Sequence, residues 1–164
     1  MSTYTNTYSQ SNTYTEARAR YIMGKVYEDT LGMWNAGLIT RALCDGWRDD
    51  LLYLLDQQVL IKFEFQFKKP NLAEKVGLRY TVVSDGSIYS DDHSGGHDFF
   101  GLPSGTNASL VVTLNSEASS YEEANKELER RGWGNNGKSL TGNATSHGTY
   151  SKGGYGTNIE NFGL

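Results

Sequence analysis

Among its 164 residues the chain has one cysteine, no apolar run of membrane-spanning length and no excess of positive charge. Each lack removes a class of protein. Cys44 alone cannot close an internal disulfide, in keeping with a reducing compartment. A formal charge of -4 leaves no basic face for phosphate contacts, so neither nucleic acid nor an anionic membrane is an expected partner. The opening Met1-Ser2-Thr3-Tyr4-Thr5 lacks the basic and apolar regions of an export signal, and a cytoplasmic location is expected. Catalytic signatures are also missing. There is no G-x-S-x-G elbow, Cys44 has no histidine near it on a shared helix, and no two carboxylates stand apart from ordinary surface acids. No enzyme is expected.

What is there begins with Ile61 to Phe67, where Ile61, Phe63, Phe65 and Phe67 alternate with Lys62, Glu64 and Gln66. A period of two gives a strand with one face on a core. A slip of one residue would turn all four apolar side chains outward, so the register is strongly set. Leu78 to Val83 follows after Pro70 and Asn71, too soon for a crossover helix, and predicts an antiparallel hairpin of 59–67 with 76–84. Ala108 to Asn115 is a third strand, apolar on both faces.

Helical periods flank these strands. Thr13 and Glu16 form a capping-box pattern, and Ala19, Ile22, Met23, Val26, Thr30 and Met33 make one apolar face as far as about Trp34. A second helical pattern runs over 38–58, with an interruption expected at Asp45-Gly46 and its densest stripe at Trp47, Leu51, Leu54 and Leu55. A short surface helix is predicted from Ser119-Ser120 to Arg131, with acids in its first turn, Arg130-Arg131 in its last and Gly132 at its stop. The expected fold is α+β, one domain over 1–164: an N-terminal tract over 1–12, a core over 13–115 with two amphipathic helices on one face of an antiparallel sheet, and a mobile C-terminal segment over 116–164.

Two stretches invite a chemical reading. Asp91 to Asp98 holds His93, His97 and three aspartates, donors that a divalent metal accepts, but Ser-Gly-Gly between the histidines does not enforce a shared helical face. A solvated loop is the expectation; a metal-dependent enzyme or a small-ligand-binding β-rich module using this loop is the alternative. Gly132 to Ser139 matches G-x-x-x-x-G-K-[ST] letter for letter. A phosphate loop needs a buried strand before it and an apolar helix after it, and here a polar helix precedes and Ser139-Leu140-Thr141-Gly142-Asn143 follows. Neither a nucleotide nor any other cofactor is expected.

Nine of the 19 glycines lie in 132–164, interspersed with Trp133, Leu140, Tyr150, Tyr155, Ile159, Phe162 and Leu164. A Gly/Ser segment with an apolar anchor every few positions can pack on a surface in one state and leave it in another.

The Thr/Ser/Tyr opening, the two helices, the hairpin ending Leu78-Arg79-Tyr80-Thr81, the strand Ser109 to Leu114 and the end from Gly132-Trp133 to Tyr150-Ser151-Lys152-Gly153-Gly154 together resemble the bacterial HORMA domains. These are encoded beside cyclic-oligonucleotide synthases (CD-NTases) in antiphage CBASS operons. The resemblance implies an adaptor whose C-terminal safety belt closes over a closure-motif peptide added to a sheet edge. The complex activates the CD-NTase, and an AAA+ remodeller reopens it. Carried over, the edge strand is Ser109 to Asn115 and the belt runs from about Ser116 to Leu164. The partner-binding residues implied are Ser109, Leu110, Val111, Val112, Thr113 and Leu114 on the strand, with Trp133, Tyr150, Tyr155, Ile159 and Phe162 on the belt.

The chain departs from the family in one place. A third long helix usually lies between hairpin and edge strand, whereas 85–106 has no helical period and many glycines, so this helix is expected to be shortened or lost. Where two HORMA proteins share an operon, a reduced member can offer its own tail to the other. Tyr150 to Leu164, with Ile159 and Phe162 as anchors, has the form of such a tail.

Overall fold

The computed structural model describes residues 16–70, 75–82, 89–92, 99–135 and 147–153. The first helix, α1 (Glu16–Asn35), buries Ile22, Val26 and Met33 completely. It stops where Gly37 takes φ 80°, which lets Leu38 N–H reach the Met33 carbonyl at 2.9 Å and Gly37 N–H the Trp34 carbonyl at 3.0 Å. Helix α2 (Arg41–Asp56) starts three residues after the expected position 38: Leu38 and Ile39 are buried in the connection, and Thr40 Oγ1 accepts from Leu43 N–H at 3.1 Å as the N-cap. The expected break at Asp45-Gly46 is absent, because a single exposed-side glycine costs a helix only about 1 kcal/mol. Trp47, Leu51, Leu54 and Leu55 are buried, as their spacing requires.

Strand β1 (Leu60–Lys68) is central. It pairs antiparallel with β2 (Lys75–Thr81) on one side and with β4 (Asn107–Asn115) on the other, so Phe65 lies between Leu78 and Leu110. The ring of Phe65 meets Trp47 of α2 at 5.7 Å, and Tyr80 donates its hydroxyl to Asp29 of α1, which puts both helices on the phenylalanine face. A fourth strand, β3 (Tyr89–Asp92), extends the sheet beyond β2. It lies in a stretch expected to be loop. Tyr-Ser-Asp-Asp has no apolar alternation, and the pairing with β2 is made by backbone groups that a side-chain pattern does not report.

Between β3 and β4 the described residues contain one turn of 3-10 helix, Phe99–Gly101, in place of a third long helix in the first layer. Phe99 is buried against Phe67, centroids 5.6 Å apart, and its ring presses on Gly32 of α1, where a Cβ would come within 2.7 Å. Helix α3 (Tyr121–Arg130) follows β4, with Glu122 and Glu123 in its first turn and Arg130 in its last. Ser120 does not cap it; its hydroxyl donates to the Gln57 carbonyl at 2.7 Å and ties the helix start to the end of α2. Expected on the surface, α3 buries Ala124 and Leu128 completely and adds a third helix to the core.

The last two described strands are β5 (Gly134–Asn135) and β6 (His147–Gly153). The sheet order is β3-β2-β1-β4-β6-β5, antiparallel throughout. The strand expected at the edge is therefore interior: β4 has β1 on one side and β6 on the other. Its burial on both faces, anticipated from Leu110 to Leu114, accompanies that position.

Candidate functional site

The side of β4 turned away from β1 is a seat for a strand, and β6 occupies it. Seven residue pairs hold it there, from Ser109 with Gly153 to Asn115 with His147. On its outer side, among the described residues, β6 pairs with β5 at Ser151 and Tyr150. A strand held mainly by one ladder is the kind of element another strand can replace, since the backbone groups of β4 accept any sequence that presents the same N–H and C=O row.

Side chains make this occupant particular. Tyr150 faces Val112, is 1% exposed, and donates its hydroxyl to Asn125 Oδ1 of α3 at 2.7 Å. Burial, with Tyr121, Glu129 and Glu122 nearby, pushes its phenol up to about 12. Two residues on and opposite Leu110, the Lys152 ammonium donates to Asp50 Oδ2 at 3.5 Å and to the Arg131 carbonyl at 3.1 Å, and stands 5.8 Å from the centre of the Trp133 ring.

Asp50 is the hub. Only 4% exposed on α2, it also accepts from Arg131 Nη1 at 2.7 Å and from Trp133 Nε1 at 2.8 Å. A carboxylate removed from water is tolerable when charged and neutral donors fill its oxygens. Arg131 in turn donates through Nε to Glu127 at 2.7 Å and lies over the Tyr53 ring at 4.5 Å; its hydrogen bond lowers the Glu127 carboxyl from its usual value. Helix α2, the end of α3, the start of β5 and strand β6 are thus joined at one acid. An open groove of about 810 Å³ passes over it, lined by Asp49, Leu52, Tyr53, Asp56, Arg131 and Lys152.

Bacterial HORMA domain family 1 matches the chain over residues 4–163. The chain belongs to this family. HORMA domains are interaction modules that bind peptides or other HORMA proteins, and the three-helix, antiparallel α+β architecture is consistent with that fold. No curated protein and no solved structure matches the chain. Among the described residues no helix is long and apolar enough to cross a membrane.

Of the residues singled out in the HORMA chain's sequence, Leu110, Val112 and Leu114 face the helices and are fully buried. Ser109, Val111 and Thr113 occupy the other face and are also buried, at 1%, 8% and 7% exposure, with the Ser109 hydroxyl without a hydrogen-bond partner among the described residues. Trp133 and Tyr150 come together with β4 in the seat just described, while Tyr155, Ile159 and Phe162 lie outside the described residues. So do His93 and His97, and Lys138 and Ser139 of the phosphate-loop match, whose first residue, Gly132, forms the left-handed stop of α3 at φ 93°.

Asp50, Asn125, Arg131 and Lys152 were not anticipated. For Asp50 a signal existed: position 50 falls three residues after Trp47 and four before Leu54, inside the apolar stripe of α2, where a carboxylate needs a cation from elsewhere. Nothing in the sequence indicated that the cations would come from 81 and 102 residues away.

Proposed function

We propose that this HORMA domain is a signalling adaptor that exchanges strands beside β4, and that β6 is the occupant of the seat in the self-closed state. One observation carries the reading: the side of β4 on which a captured peptide would add is filled, pair for pair, by the chain's own C-terminal segment. Capture of a closure-motif peptide then requires β6 to leave, and the residues that take part are Ser109 to Leu114 of β4 with Trp133 and Tyr150. The resemblance to operon-encoded HORMA proteins extends this to regulation of a CD-NTase in antiphage defence in the cytoplasm, with an AAA+ remodeller resetting the closed complex.

A second arrangement is favoured by the same occupancy. A chain whose own seat is filled, and whose third helix is reduced to Phe99–Gly101 among the described residues, is suited to give its tail to a second HORMA protein. The donated segment would then lie within Tyr150 to Leu164, with Ile159 and Phe162 as its anchors.

Truncation after Gly153 separates the two. Pull-down of the neighbouring HORMA and CD-NTase proteins by the truncated chain should be lost if the tail is the ligand and kept if the seat is the receptor. Retention of both partners by a chain lacking the tail and locked at β6 would reject both arrangements.

A further inference from the structure

The seat selects for more than an extended backbone. We infer that a strand taking the place of β6 must carry an aromatic hydroxyl followed two residues later by a cation, with a small residue between: Tyr-small-Lys or Tyr-small-Arg. This rests on the strand-exchange reading above and names its ligand class.

The first position is set by Asn125. Its Oδ1 lies 2.7 Å from the Tyr150 hydroxyl in a site where that side chain is 1% exposed. An aliphatic occupant would cover the part-buried amide oxygen without giving it a donor, and a smaller one would leave the space over Val112 unfilled. The middle position points to the opposite face beside Val111, where Ser151 is 3% exposed, so a bulky residue has little room.

The second position is set by a charge count. Asp50 and Glu127 carry two negative charges, and Arg131, which bonds both, carries one positive charge. Arg130 meets Glu127 from the solvent side, its side chain 68% exposed, and adds little inside. Lys152 is the second cation of the cluster, part-buried and 3.5 Å from Asp50, and the Arg131 carbonyl and Trp133 ring provide two more contacts that favour an ammonium or guanidinium. An occupant with a neutral side chain here leaves a net negative charge on a part-buried cluster whose hub, Asp50, is only 4% exposed, and an acidic one adds to it.

The test uses the full chain with its own strand weakened by Tyr150→Ala and Lys152→Ala, and a fluorescently labelled peptide copying residues 147–153. Polarisation should show binding to the variant. Replacing the peptide's lysine by glutamate, or its tyrosine by alanine, should weaken binding by about tenfold or more. Adding Asp50→Lys to the variant should reverse the preference toward the glutamate peptide. Should the double variant lose its helical circular dichroism, Ser151→Pro, which removes a ladder N–H and leaves both anchors, serves for the same comparison. Equal binding of the lysine and glutamate peptides would overturn the inference while leaving strand exchange standing. No binding of any peptide to either variant would remove strand exchange and the inference together.

Discussion

Asp50 concentrates the energetics of the C-terminal segment in a single side chain. Its carboxylate, 4% exposed, accepts from Arg131, Trp133 and Lys152, and their partial exposure puts the cluster between a surface pair and a fully buried one. Asp50→Ala leaves two cations and an indole N–H facing a void, and should cost about 1–3 kcal/mol in urea denaturation. Asp50→Asn, which still accepts one bond, should cost less. Tyr150 adds a pH dependence whose sign follows from its raised phenol. The neutral form is favoured while β6 is seated, so this contribution is fully present below pH 10 and is lost as pH rises from 10 toward about 12. Stability measured over that range should fall more steeply for the natural chain than for Tyr150→Phe, and parallel curves would show that the phenol has no part in it.

At the scale of elements, what could be read from the sequence was what side-chain periodicity reports. Phe63, Phe65 and Phe67 placed β1 and its register, and Trp47 to Leu55 placed the buried stripe of α2. Strands β3 and β6 escaped because Tyr89 to Asp92 and His147 to Gly153 are paired by backbone ladders, with Tyr150 and Lys152 the inward anchors among the described side chains of the second. The position of β4 within the sheet was missed for the same reason: whether a strand is at an edge depends on a partner's backbone. The shortened connection before β4 was anticipated from its glycines, but not the packing that fixes it. Phe99 is seated on Gly32, and Gly32→Ala would drive a methyl into that ring. Helix α1 would gain about 1 kcal/mol of propensity, against roughly 1.5–3 kcal/mol of lost Phe99 burial. A net loss of about 1 kcal/mol with unchanged helical circular dichroism is the expected result, and a net gain would show that the Phe99 turn contributes little to the fold.

Across the whole molecule, the proposed exchange divides the described sheet into strands that stay and a strand, β6, that is replaced. Strands β1, β2 and β4 share the helices' core through Phe63, Phe65, Tyr80, Leu110 and Val112, whereas among the described side chains of β6 Tyr150 joins that core and Lys152 reaches Asp50 beside it. Releasing β6 would expose Tyr150 and separate Lys152 from Asp50 without dismantling the layer of α1 and α2 over β1. Under the proposed exchange, this HORMA domain would keep a folded platform while β6 is replaced, and a handful of contacts rather than the core would set the balance between the two states. The most direct test is to bind β6 covalently to its neighbour. Val111 and Ser151 are cross-strand partners, and Cys44 is buried, so Val111→Cys with Ser151→Cys gives a chain that can be locked by oxidation and released by reduction. Binding of the partner peptide should be present in the reduced protein and abolished in the oxidised one; equal binding in both would contradict exchange at this seat.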